Sequence, residues 1–92
     1  MRSTRSIVLH VLAHHAGRPM STIHRWQTLE GDLDMTPLEL VLVALEIEGI
    51  LDIDLDVDGL DRVRTVGDLA TFFTREVARS RLQPAAFRLD VA

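Results

Sequence analysis

The amino-acid sequence predicts an all-α domain, a four-helix bundle of three main helices and one short third helix, with a long first loop. Three observations carry this. Apolar residues recur at helical spacing in Ile7, Val8, Val11 and Leu12, and again in Val66, Leu69, Phe72, Phe73 and Val77. Thr36-Pro37-Leu38-Glu39 is a helix start: Thr36 caps free N–H groups, Pro37 fills the first helical position without losing a donor, and Glu39 reaches back to close a capping box. Ile50 to Asp58 alternates apolar and acidic residues, but no second strand-like segment exists to pair with it. It therefore reads as an extended linker.

The elements follow in order. Helix one spans Thr4 to His15 and ends where Gly17 takes a left-handed turn and Pro19 blocks continuation. The connection from Arg18 to Thr36 shows no period, only apolar anchors at Ile23, Trp26, Leu29 and Leu33 that pin it to the body. Helix two runs from Thr36 through Leu38, Val41, Ala44 and Leu45 to about Gly49, with Glu39, Glu46 and Glu48 on its counterface. A short helix is expected around Gly59–Val63. Thr65 then caps the last helix, with Asp68 three residues on. Residues 1–79 form the domain, and 80–92, with Pro84, form a mobile tail.

Composition narrows the function classes. The 92 residues, 47% of them hydrophobic, suffice for one core. With no cysteine, disulfides, thiolate metal sites and cysteine nucleophiles are excluded, which fits a cytoplasmic protein. No apolar run approaches the roughly 20 residues of a membrane span. Met1 to Ala13 imitates a signal peptide, but His10 interrupts its apolar stretch and no small-residue cleavage site follows. Between Glu30 and Asp61 lie eleven acidic residues and no Lys or Arg, while the first 25 residues hold four Arg and no acid. An acidic middle repels nucleic acid and anionic membrane and attracts a basic protein surface.

Three blocks resemble the acyl carrier protein family. That family reads roughly Asp-Leu-Gly-x-Asp-Ser-Leu, an acidic-apolar helix, Phe-x-Ile-x-Ile, then Ile-x-Thr-Val-x-Asp-Leu. This chain has Asp32-Leu33-Asp34-Met35-Thr36-Pro37-Leu38, then Leu51-Asp52-Ile53-Asp54-Leu55, then Val63-Arg64-Thr65-Val66-Gly67-Asp68-Leu69. The likeness covers about Leu29 to Phe73, and helix one matches only in general character. In this register the serine that carries 4'-phosphopantetheine in the family falls on Pro37, with Met35, Thr36 and Leu38 as neighbours. Sliding helix two by two residues puts Met35 there instead. Neither register supplies a hydroxyl, so the resemblance implies a homologue with a degenerate attachment site and no expected cofactor.

It also implies a docking surface for basic patches on enzymes of fatty-acid, polyketide or related assembly: Glu39, Glu46 and Glu48, aided by Asp52, Asp54 and Asp56. A solvated helix face explains those acids as well. Leu42 stands where the family is usually acidic; exposed beside Val43 and near Met35 it makes the surface greasier, and in another helix phase it is core. The expected role is a docking or regulatory module without catalysis. The alternatives are a working carrier attached through Thr36 and a purely structural homodimer.

Other signals are weaker. Asp54-Leu55-Asp56-Val57-Asp58-Gly59 copies the opening of a calcium loop, but Arg62 and Thr65 occupy its ninth and twelfth positions. His10 and His14 lie one turn apart with His15 and His24 in reach, yet no acid completes a ligand set. No metal site is expected, and helix-end positions suit the histidines better.

Overall fold

The computed structural model describes residues 3–82. Three α-helices make the body: α1 (Thr4–Ala16), α2 (Pro37–Leu51) and α3 (Val66–Leu82). Two 3-10 segments, Met20–Thr22 and Val57–Arg62, lie in the connections, the second supplying the short helix of the bundle. α1 packs against both other helices, most extensively against α3. Phe73, Leu12, Ile47, Leu69, Val8, Val11, Val43 and Val66 are the largest fully buried side chains, each contributing about 1.5–3 kcal/mol through burial.

The helix ends follow their local chemistry. The Ser3 hydroxyl accepts from the Ser6 N–H at the start of α1. At its end Gly17 sits at φ 67, ψ 32, a left-handed position that is cheap without a Cβ. The N–H of Arg18 then reaches the Ala13 carbonyl at 3.0 Å. α2 runs two residues past the expected end and stops at Asp52, itself left-handed at φ 54. α3 extends through Ser80 and Arg81 to Leu82, beyond the expected domain boundary at residue 79; the tail proper, 83–92, lies outside the described residues. In the short 3-10 helix, Gly59 packs under Phe72 so closely that a Cβ would meet the ring at 2.6 Å.

The long loop is ordered by backbone bonds. Leu29 N–H donates to the Arg64 carbonyl, Val66 N–H to Gln27 and Gly67 N–H to Arg25, at 2.8–2.9 Å, flanking an isolated antiparallel bridge between Thr28 and Thr65. Ile23, Leu29 and Leu33 are buried as the sequence suggests. Trp26 is not an anchor: 67% of it is exposed, and its ring stacks on His24 at 5.7 Å. The buried polar residue of this stretch is Gln27, whose side-chain oxygen accepts from the His24 N–H at 2.6 Å. The turn closed by the Gln27 N–H on the His24 carbonyl at 3.1 Å leaves Trp26 outside and Gln27 inside.

Thr65 and Asp68 cap α3 reciprocally. The Thr65 hydroxyl accepts from the Asp68 N–H, and Asp68 Oδ2 accepts from the N–H groups of Arg64 and Thr65, all at 3.1 Å. The bond from Arg64, then that from Thr65, holds the Asp68 carboxyl below the usual aspartate range. A carboxyl with a lowered folded pKa stabilises fully above its unfolded value and loses that contribution as pH falls through the folded one. Asp68→Ala should therefore lose about 0.5–1 kcal/mol in urea unfolding at pH 7. The gap to the parent should close as pH drops below about 4.

Candidate functional site

The candidate site is the corner where the loop enters α2. Asp34 there adopts φ 55, one of two non-glycine residues in the left-handed region among the described residues. Met35 follows, 3% exposed, and its N–H donates to the Leu29 carbonyl at 2.9 Å. Thr36 is the N-cap. Its hydroxyl accepts from the Glu39 N–H, and its own N–H donates to Glu39 Oε1, both at 3.1 Å, completing the expected capping box with Pro37 at the first helical turn. Thr36, Pro37 and Leu38 are all solvent-exposed.

Beside this corner lies a cleft of about 280 Å³ between α2 and the 3-10 helix, with Met35, Leu40, Leu60 and Val63 as its apolar wall and Arg64 among its polar residues. From 35 to 38 the chain presents a single side-chain hydroxyl, that of Thr36, with a lone pair already committed to the Glu39 N–H. Pro37 offers neither a nucleophile nor a donor.

The acids named from the sequence separate into two sets. Glu39 closes the capping box, Glu48 Oε2 accepts from the Leu55 N–H at 2.6 Å, and Asp56 accepts from the Asp58 N–H as cap of the short helix. These hold the chain in place. Asp52 and Asp54 are exposed, and Glu46 is exposed while meeting His15 Nε2 at 3.1 Å across the α1–α2 contact. His14 and His15 stand in the last turn of α1, where cationic character suits the helix end. Among the described residues no three His, Asp or Glu gather as a metal-ligand set.

Leu42 is 48% exposed, so it belongs to the surface. Its supposed companions do not: Val43 is fully buried and Met35 nearly so. The apolar surface is instead built from Leu38 at 68%, Leu42 and Leu45 at 48% each, flanked by Val41 and Ile50. The sequence carried that signal. Positions 38, 42, 45 and 49 lie on one helical face opposite 40, 43, 44, 47 and 51, so α2 is apolar on two sides.

No family model matches the chain. It is 31% identical over 78 residues to acyl carrier protein 3 of Ralstonia nicotianae, covering 85% of this chain and 90% of that protein. This chain belongs to the acyl carrier protein family. It is also 33% identical over 76 residues to a polyunsaturated fatty acid synthase polypeptide of a Thraustochytrium species, where the match covers 82% of this chain and 3% of that much longer protein. No described helix is long and apolar enough to cross a membrane.

The cap and the exposed face respond differently to mutation. Thr36→Ala should cost about 1 kcal/mol in urea unfolding, because it leaves the Glu39 N–H without its acceptor. Pro37→Ser should stay within about 1 kcal/mol of the parent, since serine is accepted at the first helical turn. Leu42→Ser should shift stability by less than about 0.5 kcal/mol, its side chain being half in water already.

Proposed function

We propose that this chain serves acyl-chain assembly of the fatty-acid or polyketide kind as a carrier-family docking module that bears no phosphopantetheine arm and performs no catalysis of its own. The observation that carries the reading is the Thr36–Pro37 corner. With the family motif laid on Asp32–Leu38, the glycine of the motif falls on Asp34, whose φ of 55 is the conformation glycine adopts most easily. That correspondence supports the ungapped register, in which the attachment position falls on Pro37.

The residues there do not fit the arm. Attachment requires an oxygen nucleophile to attack a diphosphate and become a phosphodiester. Proline lacks one, and the adjacent Thr36 hydroxyl is a hindered secondary alcohol held in the cap, with one of its two lone pairs on the Glu39 N–H. Substitution of the serine costs the fold nothing, because the new pair makes a good helix start.

Docking remains available without the arm. Asp52 and Asp54 supply exposed charge, Glu46 stays exposed beside His15, and Leu42 with Leu38 and Leu45 supplies apolar area. Such a surface suits a basic patch with an apolar centre on a partner enzyme. The double variant Glu46→Arg/Asp54→Arg should slow association with a carrier-docking condensing enzyme several-fold at low ionic strength. The difference should shrink in about 0.5 M salt, where screening acts over roughly 4 Å. Equal binding by parent and variant at low salt would place the docking surface elsewhere.

A further inference from the structure

The face away from α2 has the opposite character. A groove of about 360 Å³ between α1 and α3 is floored by Leu9, Ile23, Val66 and Ala70 and carries three arginines, Arg5, Arg25 and Arg75, with no acidic residue among its lining. All three are exposed, and none takes part in an ion pair among the described residues. In a chain of net charge -4, three uncompensated guanidinium groups around one apolar groove form a local site for an anionic, partly apolar occupant.

The spacing of the charges says more about that occupant. Gly67 N–H donates to the Arg25 carbonyl at 2.8 Å, which fixes Arg25 at the N-terminal end of α3. Arg75 lies eight residues further along the same helix, about 12 Å at 1.5 Å per residue. Arg5 and Leu9 make the α1 wall. The groove thus has positive charge at both ends and apolar floor between, over a little more than about two helical turns.

α2 presents the complement. Glu39, half-buried with one carboxylate oxygen on the Thr36 N–H, and Glu46, exposed beside His15, are seven residues apart, about 10.5 Å along the helix and on one side of it. Leu42 lies between them, and Leu38 and Leu45 continue the ridge beside them. Acid, apolar residue and acid on α2 match arginine, apolar floor and arginine in the groove.

We infer that the α1–α3 groove receives the α2 ridge of a second copy of this chain. Ridge and groove are different surfaces of one molecule, so the contact is head-to-tail and leaves a free ridge and a free groove at the ends of each assembly. It covers the apolar face that a lone copy leaves in water and pairs Arg5, Arg25 and Arg75 with Glu39 and Glu46. It also withdraws α2 from other partners, so self-association and enzyme docking compete.

The test uses sedimentation velocity on the full chain from about 10 μM to 1 mM, the range in which weak contacts form. The parent should grow in average mass with concentration at low salt, and return to one chain in about 0.5 M salt. The groove variant Arg5→Glu/Arg75→Glu and the ridge variant Leu42→Ser/Glu46→Arg should each stay monomeric. Arg18→Glu/Arg62→Glu, which has the groove variant's net charge but leaves the groove intact, should associate like the parent. A mixture of the groove and ridge variants should form dimers and nothing larger, since each brings one intact half. A parent that remains monomeric throughout, a groove variant that still associates, or a mixture that stays monomeric overturns the inference. The groove variant keeps α2 intact, so its binding to a condensing enzyme reads the docking proposal separately.

Discussion

Three backbone hydrogen bonds between residues 25–29 and 64–67 tie the long first loop to the turn before α3. Without them the twenty residues between α1 and α2 would be a connection with few apolar anchors. With them, Leu29 is placed in the core and its carbonyl is aimed at the Met35 N–H, so the chain arrives at Thr36 in a fixed direction. Thr28 and Asp32 lock the intervening turn reciprocally: Thr28 N–H donates to Asp32 Oδ2 at 2.8 Å, and Asp32 N–H to the Thr28 hydroxyl at 3.0 Å. The start of α2, and hence the whole candidate site, inherits its position from this ladder. The same ladder brings Arg25 beside α3 and so shapes one end of the basic groove.

Polar groups are spent unevenly around the molecule. On the α2 side, half of the acids are consumed by the fold, since Glu39, Glu48 and Asp56 each satisfy a backbone N–H that would otherwise depend on water. Glu76, buried on α3, accepts from the Asp56 N–H and pairs with Arg79 at 2.7 Å. What remains at the surface is Asp52, Asp54 and the His15-paired Glu46 beside an apolar ridge on one side, and three arginines around an apolar groove on the other. A monomer with both surfaces bare is an arrangement made for partners.

Much of this is legible in the sequence, for identifiable reasons. Thr36-Pro37-x-Glu39 and Thr65-x-x-Asp68 are local motifs whose hydrogen bonds need nothing beyond four residues, and both form in the structure. The 3.6-residue period locates all three helices. Trp26 departs from its expected place because burial in an aperiodic loop depends on which residue the backbone ladder turns inward, and that ladder pairs segments about forty residues apart. The 3-10 turn at Met20–Thr22 has no periodic signal to reveal it. On α2 the phase of the apolar pattern is hidden by its completeness: with apolar residues on both faces, only packing decides that Val43 goes in and Leu42 stays out. The basic groove is invisible in the sequence for a related reason, since Arg5 and Arg75 meet only through the packing of α1 on α3, and Arg25 joins them only through the loop ladder.

In the proposed reading the family scaffold keeps its helices and caps while the attachment position falls on Pro37. The proposal at the centre of this picture is a chain that works without covalent cargo. Intact mass of the full chain, after co-expression with a promiscuous phosphopantetheinyl transferase, addresses that point most directly. The expected result is the mass of the unmodified polypeptide, and a species heavier by one phosphopantetheine arm would contradict it.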